Sequence, residues 1–248
     1  MESREERIIK IVGENKKVEV GELSNLLKVS KVTIRKDLDR LENRGILHRE
    51  HGFAQLNSEA DIGYRLAMNY EVKTKIAKRA AESVKDGETV MIESGSTCAL
   101  LAEELAFSHK NITIITNSNF IASYIRKSET VKIILLGGEY QKDSQVNVGP
   151  LVKRIAENFY VNKLFIGVDG FDEKRGFMGA DIARVDTVKV LTEYAEKVVV
   201  LTESSKFQEK GGVFQLRFDD VSMVYTDNLL EDRARRFLEH REIQLIMV

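Results

Sequence analysis

The segment Glu93-Ser94-Gly95-Ser96-Thr97 sets a carboxylate, hydroxyls and a glycine side by side, directly before the apolar run Cys98-Ala99-Leu100-Leu101-Ala102. A small-residue loop that opens into a helix presents bare backbone N–H groups and the positive end of the helix dipole, an arrangement that takes phosphate or carboxylate. Thr116-Asn117-Ser118 repeats the idea after a second apolar run, and Gly137-Gly138 follows a third, where missing side chains let a ligand approach backbone. Each loop alone is equally an ordinary helix cap or turn. Together, at successive strand ends, they point to one crevice outside the carboxyl edge of a sheet. A second chemistry lies nearer the amino terminus. Between Lys28 and Arg49 there are seven Lys or Arg against three acids. Ser30 is a natural N-cap for a helix over Lys31 to Asn43 whose Ile34, Leu38 and Leu41 share one face, leaving Lys31, Thr33, Arg35, Lys36 and Arg40 on the other sides. Such a helix fits the major groove, where Arg and Lys pair with guanine edges while hydroxyls and further cations such as Arg40 and Arg49 hold phosphates. A charge-rich amphipathic helix is also, taken alone, simply a solvated one.

The elements that must position these groups come from changes of hydrophobic period, because the only proline is Pro150. Ile8, Ile9 and Val12, then Leu23, Leu26 and Leu27, then Ile34, Leu38 and Leu41 predict three short-looped helices, the last two joined at helix-turn-helix spacing through Lys28-Val29-Ser30. Ile46 to Arg49 and Phe53 to Leu56 read as a hairpin with Gly52 at the turn, and Asn57 to Tyr70 as a polar linker. From Lys75 onward the β-rich runs 89–92, 112–116, 131–136, 164–166, 198–201, 223–225 and 243–248 alternate with helix-length segments 97–106, 119–127, 185–195 and 230–240. That alternation predicts βαβ units and a mainly parallel sheet. The expected organisation is a winged helix-turn-helix DNA-binding domain over 1–57, a linker over 58–74 and an α/β domain over 75–248.

Composition narrows the classes. The 248 residues are 43% apolar and 31% charged with a formal charge of −1, so the chain buries a core and carries no whole-protein field toward nucleic acid or membrane; a basic site must be local. One cysteine, Cys98, excludes an internal disulfide framework and a multi-cysteine zinc site and fits a reducing compartment. His48, His51, His109 and His240 lack metal-ligand spacing, so no metal and no cofactor are expected. The charged start Met1-Glu2-Ser3-Arg4-Glu5-Glu6 is no secretory segment and no run of about 18 apolar residues occurs. The protein is read as cytoplasmic, with no membrane partner.

The residues of the amino-terminal module, Arg4, Ile8 and Val12 followed by Ser30, Thr33, Ile34, Arg35, Lys36, Asp37 and Leu38, stand at the spacing of the DeoR family of bacterial sugar-metabolism regulators, which the segment resembles. The family tends to close its wing with His-Gly-Gly-Ala, where this chain has His51-Gly52-Phe53-Ala54. Farther on, Gly149-Pro150-Leu151, the run Phe165 to Phe171 and Thr202-Glu203-Ser204-Ser205-Lys206-Phe207 extend the resemblance over nearly the whole chain. The family's Asp-Ser-Gly-Thr-Thr stands here as Glu93-Ser94-Gly95-Ser96-Thr97 and its Asp-Ser-Ser-Lys as Glu203 to Lys206; both changes keep the charge. The resemblance implies a sensor half similar to ribose-5-phosphate isomerase and sugar-phosphate deaminase folds. It implies a phosphorylated sugar or sugar-alcohol effector, with Ser94, Gly95, Ser96 and Thr97 as phosphate cradle, Asn117 and Ser118 as contacts, and Lys206 as point charge. Glu93, Asp169 and Asp181 either accept hydrogen bonds from sugar hydroxyls or are solvated or capping carboxylates. Arg184 and Lys189 line the crevice or are surface cations.

The function so implied is repression of a sugar-utilisation operon, released by a phosphorylated metabolite, with double-stranded operator DNA as partner. Pairing of two winged helices on half-sites makes a homodimer or homotetramer the expected state. The rival is a sugar-phosphate isomerase or deaminase carrying a DNA-binding module: such chemistry needs a carboxylate base, and Glu93, Asp169, Asp172 and Glu203 could all be placed in the crevice. A DNA-bending architectural protein would leave the α/β domain without work.

Overall fold

A computed structural model describes residues 3–58, 61–108 and 110–248; His109 and residues 59 and 60 of the expected linker lie outside the described residues. The chain divides into two compact units, Met1–Glu71 and Val72–Val248. In the first unit, helix α1 (Arg4–Asn15) is started by Ser3, whose hydroxyl accepts from the Glu6 N–H while the Glu6 carboxylate accepts from the Ser3 N–H. Strand β1 (Lys17–Glu19) follows, then α2 (Val20–Leu27) and α3 (Lys31–Asn43), and the hairpin strands β2 (His48–Glu50) and β3 (Phe53–Gln55). Lys28 breaks the chain between α2 and α3 with a left-handed conformation, φ 55°, ψ 41°. The hairpin turns through His51 and Gly52, both at positive φ, the backbone twist that suits a two-residue loop. β1 adds to β3, so the wing is a three-stranded sheet in the order β1-β3-β2. Ile8, Ile9, Val12, Leu23, Ile34, Leu38 and Leu41 form the fully enclosed core beneath it.

The stretch read as a polar linker folds instead. Helix α4 (Ile62–Ala67), capped by Asp61 accepting from Gly63 N–H at 2.7 Å, buries Ile62 and Leu66 and packs on α1 within the first unit. Six residues give too few turns for a helical period to stand out against Asp61, Tyr64 and Arg65.

Helix α5 (Tyr70–Ala81) crosses the division between the units. The second unit then runs β4 (Thr89–Ile92), α6 (Ser96–Ala106), β5 (Ile112–Thr116), α7 (Asn119–Tyr124), β6 (Val131–Leu135), β7 (Glu139–Gln141), β8 (Val146–Val148), α8 (Pro150–Ala156), β9 (Val161–Ile166), β10 (Gly170–Asp172), β11 (Gly176–Gly179), α9 (Ile182–Thr192), β12 (Ala195–Leu201), β13 (Val213–Leu216), β14 (Met223–Thr226), α10 (Asp232–His240) and β15 (Gln244–Met247). Each of the seven β-rich runs read in the sequence is a strand of one seven-stranded sheet, all parallel, in the order β15-β14-β12-β9-β4-β5-β6. The sheet starts in its middle at β4, winds outward through β5 and β6, then restarts at β9 and winds the other way. The order therefore reverses between β4 and β9, the point at which doubly wound sheets open a crevice at their carboxyl edge. A small antiparallel sheet, β10-β11-β13, and the hairpin β7-β8 are additions to that frame. Phe171, Phe177, Phe207, Phe218 and Phe237 pack ring against ring with centroids 5.0 to 5.8 Å apart.

Candidate functional site

On α3 the Ser30 hydroxyl accepts from the Thr33 N–H at 3.1 Å and lies 2.9 Å from the Thr33 hydroxyl, so both side chains serve the cap. Lys31, Arg35 and Lys36 are exposed and make no ion pair among the described residues. Arg40 and Arg49 are already engaged: Arg49 meets Asp39 at 3.0 Å, and Arg40 meets Glu5 at 2.9 Å and also pairs with Asp37. Asp37 is fully buried and takes the guanidinium groups of Arg4, at 3.0 Å to Nη2, and of Arg40. Burial alone would push its carboxyl up; the bonds from Arg4 and then Arg40 outweigh that and hold it below the usual carboxylate range. Asp37 is thus the post by which α3 is tied to α1. Val32, which the stripe of cations hides in the sequence, stands exposed among them.

In the second unit, the β4–α6 and β9–β10 loops meet at the reversal of strand order. Glu93 N–H donates to the Phe165 carbonyl at 2.9 Å, and a Cβ built on Gly95 would lie 3.9 Å from Gly167 Cα. Gly95, at φ 145°, leads into α6, so the first-turn N–H groups of Ser96, Thr97 and Cys98 stand at the helix mouth. Gly95 and Ser96 remain half-exposed there, while Ser94 and Thr97 are buried. The Ser94 hydroxyl donates to Glu93 at 2.5 Å. Burial pushes the Glu93 carboxyl up to about 7, with Ser94 and Arg184 opposing and Asp169 adding to the rise. Asp169 accepts from the Ala180 N–H at 2.9 Å. Asp181 caps α9 by accepting from the Arg184 N–H at 2.8 Å and also takes Gln141 at 3.1 Å. Arg184 is mostly buried, its Nε is without a hydrogen-bond partner among the described residues, and it lies 3.9 Å from Asp181. The structure thus brings Glu93 to Thr97, Asp169, Asp181 and Arg184 together. This is a helix mouth flanked by acceptors and one guanidinium. Gln141, on a three-residue strand that leaves no periodic trace, joins it unannounced.

The other residues expected at the ligand have packing or hydrogen-bond partners of their own. Ser118 is buried as the cap of α7, and Asn117 is buried with its amide donating to the Asn147 carbonyl at 2.9 Å. Gly137 and Gly138 follow β6, two strands from the reversal. A Cβ on Gly138 would come within 2.6 Å of the Val148 carbonyl and 2.8 Å of Val152, so the missing side chain here admits β8 and α8. Lys189 lies over the Phe214 ring at 4.9 Å, outside the cluster. Lys206 is half-buried on the tight turn 204–207 after β12, with no bond to the Glu93 cluster among the described residues. Beside it Glu203 is buried against Lys73 of α5 at 3.1 Å, and Asp227 accepts from both the backbone and the hydroxyl of Ser204. Nothing in the spacing of α5 singles out Lys73. No helix of the described residues is long and apolar enough to cross a membrane.

The chain matches the DeoR-like helix-turn-helix domain over residues 4–60 and the DeoR C terminal sensor domain over residues 68–228. It is 30% identical to an uncharacterized HTH-type transcriptional regulator of Bacillus subtilis, covering 99% of this chain and 96% of that one. It is also 30% identical to the putative aga operon transcriptional repressor of Escherichia coli O157:H7, covering 99% and 93%. The lactose phosphotransferase system repressor of Streptococcus mutans is 29% identical, covering 98% of each. Among solved structures, a ribose 5-phosphate isomerase from Methanocaldococcus jannaschii aligns with 56% of this chain and 55% of that chain at 23% identity and a TM-score of 0.42.

Proposed function

The chain belongs to the DeoR family of DNA-binding transcriptional regulators, and from that premise we propose that it represses a sugar-utilisation operon and is released from its operator by a phosphorylated sugar or sugar alcohol. Members of this family are regulators and not enzymes, so the carboxylates of the crevice are taken as binding groups. The observation that carries the reading is the helix mouth at the reversal of strand order. In it, the N–H groups of Ser96, Thr97 and Cys98 with the Ser96 hydroxyl would hold a phosphate, as helix N-termini do for anions. Glu93, Asp169 and Asp181 would accept hydrogen bonds from sugar hydroxyls, and Arg184, with Lys206 from the neighbouring strand end, would supply positive charge. Relatives named for sugar systems support the class of effector. On the DNA side, Lys31, Arg35 and Lys36 would read bases, while Arg40 and Arg49 would approach phosphates from their internal pairs.

A thermal-shift panel of sugar and sugar-alcohol phosphates, followed by calorimetric titration of the best ligand with and without operator, tests this. A native-state ligand raises apparent stability by RT ln(1 + [L]/Kd), and a coupling of about 1–3 kcal/mol would change its affinity about 5–150-fold when DNA is bound. Ser96→Ala should weaken that response while leaving DNA binding in the absence of ligand intact. Equal ligand affinity with and without operator rejects the switch; recovery of a converted ligand by NMR would restore the enzyme.

A further inference from the structure

We propose that Val32 is a base-reading residue that packs on the C5-methyl group of a thymine in the operator's major groove. The proposal rests on α3 being the helix that enters that groove. Val32 is the second residue of α3 and 59% exposed, whereas the neighbouring aliphatic residues Ile34 and Leu38 are fully enclosed. Folding gives no reason for a valine there. It packs on nothing that would hide it, it caps nothing, and a branched side chain is a poorer helix former than alanine. A lone exposed aliphatic residue is ordinary on a protein surface. What distinguishes Val32 is its company: at three and four residues along the same face come Arg35 and Lys36, exposed and without ion pairs, with Lys31 beside it.

The amino-terminal residues of a recognition helix are those that reach base edges. In the major groove the one apolar group a base pair offers is the thymine methyl, and the guanine O6 and N7 are the acceptors that suit arginine. Three residues of helix advance about 4.5 Å, against about 3.4 Å per base step, so the thymine under Val32 would lie one or two base pairs from the guanine under Arg35.

The test uses the full chain. Duplexes are selected from a random pool, and affinity is then measured on the selected duplex with each thymine replaced in turn by deoxyuridine, which removes only the methyl. At one position the parent protein should lose about fourfold, the value of one buried methyl group, and Val32→Ala should show no loss there. Val32→Ala should bind the thymine duplex and the deoxyuridine duplex with the affinity the parent has for the latter. Val32→Thr, which keeps a methyl on the same branched frame, should retain part of the discrimination. Arg35→Ala is the control: a loss of about 1–3 kcal/mol, roughly 5–150-fold, keeps α3 in the groove. If Arg35→Ala loses affinity while deoxyuridine costs parent and Val32→Ala the same at every position, the role of Val32 is overturned and the groove reading stands. If Arg35→Ala binds as the parent does, or no duplex is enriched, the groove reading falls and Val32 with it.

Discussion

Glu93 is a carboxyl in surroundings that disfavour its charge, 4% exposed at the end of β4 with only Ser94 and Arg184 to favour ionisation. Because its titration moves up from 4.5 to about 7 on folding, the neutral form stabilises the protein fully below 4.5, and that contribution is lost as pH rises through about 7. The gap corresponds to about 3 kcal/mol. Glu93→Gln keeps the shape and an acceptor for Ser94 but cannot ionise. Urea midpoints for the ligand-free variant and parent should agree near the lower end of that window and separate in the variant's favour up to about pH 8. Parallel curves across the window would reject the burial assigned to Glu93. At this scale the sequence is a partial guide. An acid such as Asp37 on a basic helix calls for a cationic partner, but Arg4 lies 33 residues away and Arg40 only three, and nothing local chooses between near and far. Arg184 was legible as a cation and ambiguous as a ligand, because its place beside Asp181 and the distant Glu93 is set by tertiary packing and not by its sequence neighbours.

Elements were legible in proportion to how continuously they bury apolar side chains. The parallel strands belong to a doubly wound sheet, whose five inner strands are largely buried, and each of the seven leaves an unbroken β-rich run. The strands β7, β8, β10 and β11, three or four residues each, are too short to carry a period, and the seven-residue α8, opened by Pro150 at its first turn, leaves no clear one either. This is also why Gly137-Gly138 looked like part of the crevice: the hairpin that fills the space beside them had no signature of its own. Gly138→Ala should therefore act through packing, costing about 1–3 kcal/mol as an overpacked contact against the Val148 carbonyl and Val152. Chemical denaturation followed by far-UV circular dichroism should show the loss, with effector affinity at a temperature well below the melt unchanged. Weakened ligand binding at unaltered stability would return Gly138 to the crevice.

At the scale of the molecule, a single winged helix covers too little DNA for physiological specificity, and half-sites about 34 Å apart or a multiple of that spacing are the usual remedy. Light scattering at micromolar concentration should give a dimer or tetramer; a monomer both free and on operator DNA would reject that assembly. The two-unit organisation was readable because the hydrophobic period changes once, whereas the helix α4 that belongs to the first unit was not. The reversal of strand order has a consequence of another kind, for how the chain acquires its structure. β4 is the first strand of the sheet to be synthesised, yet its partner β9 comes about seventy residues later, and Lys163 reaches back across 75 residues to bond Glu88 at 2.6 Å. During synthesis β4, β5 and β6 can associate by short connections while the far edge of β4, apolar on both faces, waits unpaired. Closing the central seam is thus a late and non-local step, of the kind that slows folding and leaves an open strand edge to mispair. The same pair of strands that frames the crevice in the finished protein is its most vulnerable edge while it is being made.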